Sequence, residues 1–149
     1  MKKFVFRFEK ILQLRIDKEN EVRNSLGKVN QVILEREEAL KQTEHQYEVY
    51  LNELNDKFKN GIYVRDMQSV SGSKQFLIDK MNGIKQELSV LMEERRNIQK
   101  MLIEANKQRK IMEKLKEKEL DNYKVLEAQE EAKVVDQIVT YQSTNRKGE

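Results

Sequence analysis

The chain contains no proline, no cysteine and no tryptophan, and a single histidine in 149 residues. Each absence removes a class of protein. Without cysteine there is no disulfide framework, no Cys-based zinc site, no iron–sulfur cluster and no thiol nucleophile. Without proline, no residue forbids a helix interior by losing its N–H and clashing with the preceding turn. No run of about 18 apolar residues occurs, so no transmembrane helix is expected. Charge of one sign is also missing. The net charge is +3, from 29 basic and 26 acidic residues. That is dense mixed charge, unlike the clustered basic face of a nucleic-acid binder.

What is present is charge at 37% and hydrophobic residues at 38%. A typical globular domain carries about 25% charged and 45–50% apolar residues. At this length a single domain, 1–149, is the default. The opening, Met-Lys-Lys-Phe-Val-Phe-Arg-Phe, begins basic and turns apolar, but Arg7, Glu9 and Lys10 interrupt any signal-peptide core. A cytoplasmic protein is expected. Phe4, Phe6 and Phe8 are read as packing on the rest of the protein, ahead of a membrane-surface helix.

Periodicity separates a fold from a disordered polyampholyte. Val22, Leu26, Val29, Ile33, Arg36, Leu40, Glu44, Tyr47, Leu51, Leu54 and Phe58 step by three and four, and nine of these eleven are apolar. Two successive steps of four around Leu40 mark a local break in heptad phase. Phe8, Leu12 and Ile16 extend the stripe upstream. Leu77, Met81, Ile84, Leu88, Leu91, Arg95, Ile98, Leu102, Ala105, Arg109 and Met112 keep strict heptads, again nine of eleven apolar. Tyr123 and Leu126 continue them more weakly. One narrow apolar stripe on a charged helix is a coiled-coil seam.

Between the stripes, Asn60-Gly61 is a helix stop and Ser71-Gly72-Ser73 a flexible break before a new N-cap. Ile62, Val64, Met67 and Val70 could support a short helical turn between them. The expected fold is therefore all-α: two long helices forming an antiparallel coiled coil, a helical hairpin. Arm one runs over about 5–59, the tip over 60–74, and arm two over about 75–140, followed by a flexible tail. Pairing within one chain, a monomeric hairpin, is the expected state. With Phe58 opposite Leu77, facing positions sum to about 135. Arg15 then meets Glu119 and Glu19 meets Lys116, opposite charges in adjacent layers that would fix register.

Candidate chemistry is sparse. His45 has no neighbouring ligand, so no metal site is expected. No pair of carboxylates is isolated in an apolar setting for acid–base work. Ser71-Gly72-Ser73-Lys74 lacks the spacing of a phosphate-binding loop. No cofactor, and no enzyme, is expected. Residues 95–118 carry a net +6 and residues 35–56 a net −5. The basic stretch lacks interleaved aromatics to stack bases, so nucleic acid is not an expected partner. Tyr47, Tyr50, Phe58, Tyr63 and Phe76 gather near the tip. Tyr50 falls beside the stripe and suits a partner-binding surface as well as edge packing. Gly27 and Gly83 lie inside the arms without an evident reason.

The opening Phe4-Val-Phe-Arg-Phe-Glu-Lys-Ile-Leu-Gln-Leu-Arg15, then Glu37-Glu-Ala-Leu40, Tyr50, Asn60-Gly-Ile62, Gln75-Phe76 and Glu130-Glu-Ala-Lys-Val-Val-Asp-Gln-Ile138, taken in order, resemble the flagellar export protein FliJ family. The resemblance covers nearly the whole chain. It implies a non-enzymatic antiparallel coiled coil of the flagellar type III export apparatus, similar to the stalk of rotary ATPases. It implies contacts with the export ATPase FliI, the export-gate protein FlhA and substrate-free export chaperones. Such a stalk would couple the ATPase ring to the gate, from the cytoplasm and peripherally at the membrane. Tyr50 and Phe76 match aromatic positions of the gate-binding face, whereas Thr43, Gln46 and Lys80 stand where relatives are more apolar. A generic coiled-coil scaffold or chaperone, or the equivalent stalk of a virulence-type secretion system, is the alternative.

Overall fold

In the computed structural model, which describes residues 2–61 and 64–148, the chain forms two α-helices. Helix α1 spans Glu9–Asn60 and helix α2 spans Val64–Lys147. They pack antiparallel against each other as a helical hairpin. The ends follow from local chemistry. Acidic Glu9 and Asp66 occupy the first turns, and Lys57, Lys59, Arg146 and Lys147 the last ones. Each charge complements the helix dipole. Gly61 follows the end of α1 at φ 87°, the left-handed position that glycine adopts without a Cβ penalty.

The turn is shorter than the sequence suggests. Helix α2 already begins at Val64, so Ser71-Gly72-Ser73 lies inside it. Only positions 61–63 separate the helices, and Ile62 and Tyr63 lie outside the described residues. One glycine of the expected pair, Gly61, takes a positive φ; Gly72 is helical. Glycine inside a helix costs about 1 kcal/mol relative to alanine. A cost of that size does not by itself stop a helix 84 residues long. At the far end α2 continues to Lys147, where a flexible tail after about 140 was expected.

The hairpin divides into two compact units. One joins the chain up to Asn20 with Ile103 onward, and the other is Glu21–Leu102. The core of the second unit is Val29, Ile33, Ile84 and Leu88, with Ala39, Leu40, Leu91 and Ile98 packed around it. In the first unit Phe6, Leu12 and Ala105 are buried.

All eleven positions of the stripe from Leu77 to Met112 are buried or half-buried. On α1 the stripe holds through Leu40 and then continues through Thr43, Tyr47, Tyr50 and Leu54. Glu44 and Leu51 are exposed instead. The heptad is therefore unbroken, and the apparent phase break came from passing over a threonine. Thr43 is 2% exposed, and its Oγ1 donates to the Ala39 carbonyl at 2.8 Å. A hydroxyl satisfied by its own helix can occupy a seam position.

Register differs accordingly. Arg7 bridges Glu119 at 3.3 Å, Lys116 bridges Glu9 at 2.9 Å, and Arg109 pairs with Glu19. These facing numbers sum to 125–128, lower than the anticipated 135. The pairs Arg15–Glu119 and Glu19–Lys116 are replaced, and Arg15 is exposed. The expected register assumed a helix break as late as Ser71-Gly72-Ser73, whereas α2 already begins at Val64.

Ile33 is 2% exposed and central, whereas Leu51 is at the solvent edge. Ile33→Ala should cost about 2–5 kcal/mol in urea unfolding, and Leu51→Ala less than about 1 kcal/mol. Comparable losses at both would contradict the observed seam.

Candidate partner-binding surfaces

Near the turn, the aromatics divide into two groups. Tyr47 and Tyr50 are half-buried on the seam. The Tyr50 hydroxyl donates to the Val70 carbonyl, tying α1 to the first turns of α2. Phe76 is 67% exposed and Phe58 47%. The two aromatics singled out from sequence therefore lie in one unit but do different things. Phe76 offers an open apolar face. Tyr50 already has a partner within the hairpin and presents only part of its ring. Its placement beside the stripe in the sequence reading followed from counting Leu51 as the seam residue.

At the other unit, the N-terminal segment folds onto α2. Phe6 is buried, with the Lys116 ammonium 5.9 Å from its ring centre. Phe8 meets Phe6 edge-on at 6.0 Å, and the Arg7 guanidinium lies 4.5 Å over the Phe8 ring. Phe4 stacks obliquely on Tyr123 at 5.5 Å, and the Tyr123 hydroxyl donates to the Lys2 carbonyl. These aromatics hold the segment before α1 against the helix that follows it in space.

Beside this cluster lies a largely buried ion pair. Glu19 is 4% exposed and accepts from Arg109 Nε, while Arg109 Nη1 donates to Glu113 at 2.7 Å. The hydrogen bond to Glu19, then that to Glu113, pushes the Arg109 guanidinium pKa above its ordinary value. The cation therefore stays charged at any working pH. Charge-assisted bonds of this kind bring directional specificity. The heptad pattern placed Arg109 and Glu19 on their stripes, but their partnership was hidden until the turn was known.

A third surface is an open groove of about 740 Å³ between the helices of the Glu21–Leu102 unit. Val32, Val90 and Leu91 line it, Arg36 and Glu87 rim it with a 3.5 Å ion pair, and Gly83 lies along its floor. A Cβ added at Gly83 would meet no atom within 4 Å, and the same holds for Gly27. Packing within the chain thus requires neither glycine. Among the described residues no group of three or more His, Cys, Asp or Glu could hold a metal ion, and no helix is long and apolar enough to cross a membrane.

Both interior glycines should accept a methyl group. Gly27→Ala and Gly83→Ala are each expected to stabilise the hairpin by about 0.5–1 kcal/mol, read by thermal unfolding followed by circular dichroism. A loss of stability at either position would mean that the backbone there approaches something closely.

Comparison with known proteins agrees with the order of motifs. No curated protein and no solved structure matches the chain. A family model described as the flagellar FliJ protein matches residues 3–148. With that match spanning nearly the whole length of a two-helix hairpin, the chain belongs to the flagellar FliJ family.

Proposed function

We propose that this chain, a component of flagellar protein export by its family, acts as a non-enzymatic stalk that couples the export ATPase to the export gate. In this reading it contacts the ATPase FliI and the gate protein FlhA, receives emptied export chaperones, and works in the cytoplasm against the inner face of the membrane. Flagellum assembly, and so motility, depends on it. The observation that carries the proposal is the family match over residues 3–148. The form of the hairpin supports it. Each helix buries one seam and leaves its other faces solvated, so function resides in what those faces touch.

Phe76 is the gate contact in this proposal, because among the described residues it is the most exposed aromatic near the turn and lies outside the seam. Tyr50 contributes its ring edge and, through Val70, holds the start of α2 in place. Thr43, offered as a neighbour of that contact, is buried, which confines the surface to Phe76 and the exposed residues around it.

The test is pull-down with the export ATPase and with the cytoplasmic domain of the gate protein. Wild-type chain should be retained by both. Phe76→Ala should weaken gate binding about tenfold, roughly 1.4 kcal/mol, with helicity unchanged. Tyr50→Phe should leave gate binding near wild type while lowering the unfolding midpoint. Failure to bind either protein at micromolar concentrations would favour a generic coiled-coil scaffold instead.

A further inference from the structure

The two units are held together by different forces. In Glu21–Leu102, the residues Val29, Ile33, Ile84 and Leu88 form one contiguous apolar core. In the other unit the buried hydrophobic residues, among those described, are Phe6, Leu12 and Ala105. Phe6 precedes α1 altogether. It belongs to residues 2–8, a non-helical strap laid on α2.

The strap is fastened mostly by polar and aromatic contacts. The Lys2 carbonyl accepts from the Tyr123 hydroxyl, Phe4 packs on the Tyr123 ring, and Arg7 bridges Glu119. Lys116 serves two contacts at once. Its ammonium bonds Glu9 at 2.9 Å, at the start of α1, and lies 5.9 Å from the Phe6 ring centre. Arg7 is 73% exposed and Glu9 53%, so solvent ions reach both pairs. The strap also ends where the cover of α2 runs out. Tyr123 is half-buried beneath Phe4, whereas Val125 and Leu126 are each more than half exposed, as is every large hydrophobic residue from Val134 to Tyr141.

We infer that residues 2–9 are a salt-sensitive clasp, whose release opens their own unit while Glu21–Leu102 stays paired. Exposed ion pairs and cation–π contacts are individually weak, and salt screens the ion pairs, whereas it does not screen an apolar core. Local opening below the cost of global unfolding is drawn from the regions with the fewest buried apolar contacts. Release bares α2 from about Ile103 onward instead of from Ala128 onward, and it uncovers Phe4, Phe6 and Tyr123 together. The clasp thereby sets how much of α2 is open to anything outside the hairpin. The inference stands on the contacts of residues 2–9 with 116–123 and does not depend on the export reading.

The experiment is amide hydrogen exchange of the full chain, read by mass spectrometry on peptides, between about 10 mM and 1 M salt. Over that range the screening length falls from about 30 Å to about 3 Å. A helix segment without its partner is marginal in water and loses protection. Exchange over residues 10–18 and 106–124 should quicken about tenfold at high salt, the loss of two exposed ion pairs. Residues 28–40 and 84–98, in the apolar core, should keep their rates and serve as the internal reference. Lys116→Met, which keeps the stem and removes both ammonium contacts, should quicken 106–124 at low salt and flatten the salt response. Phe6→Ala should quicken the same residues about a hundredfold at either salt, with the core still protected. Exchange that rises in parallel over the whole hairpin, rates over 106–124 that ignore salt, or a full salt response in Lys116→Met would each overturn the inference.

Discussion

The left-handed glycine at position 61 is the constraint on which the rest of the hairpin depends. At φ 87° it ends α1 where a residue with a Cβ would be strained. It leaves only positions 61–63 before α2 begins. A turn that short sets which residues can meet across the helices. Glu19 meets Arg109, Glu9 meets Lys116 and Glu119 meets Arg7. Coiled-coil seams are otherwise permissive, since one heptad layer resembles the next. The ion pairs then reinforce a register that the turn has already chosen.

The seam tolerates polar residues only when they are satisfied. Thr43 bonds to its own helix and Glu19 to Arg109. Among the described residues no buried side-chain nitrogen or oxygen lacks a hydrogen-bond partner. Leaving one unpaired would cost about 1–3 kcal/mol, a large share of what a core one residue thick can supply. The buried hydrophobic residues are correspondingly few, and stability is spread along the helices. The other faces of the helices stay solvated.

Periodicity made the fold legible, and the parts it missed have physical reasons. The stripe from Leu77 to Met112 was readable in full because apolar residues and arginine stems occupy every layer. The stripe on α1 was readable to Leu40 and lost at Thr43, because a threonine in a seam looks like a surface residue until its hydroxyl is paired. Tyr50 was displaced from the seam by the same error. The start of α2 was lost because Ser71-Gly72-Ser73 has poor helix propensity, yet it lies inside a continuous helix from Val64. Phe76 was singled out only through the family resemblance, because periodicity did not separate it from the seam; its exposure came with the structure. The partnership of Glu19 and Arg109 was not, since pairing across helices follows from the turn and no local pattern encodes it.

The register is also the most direct point of attack. The chain has no cysteine, so spin labels can be placed on introduced pairs without background. Electron spin–spin distances should be compared for Arg7→Cys with Glu119→Cys and for Arg15→Cys with Glu119→Cys. The account requires the first distance to be the shorter, because Arg7 lies across from Glu119 and Arg15 lies eight residues, about 12 Å, further along the chain. A shorter distance for the second pair would place the turn near residues 60–74 and contradict the register set by Gly61.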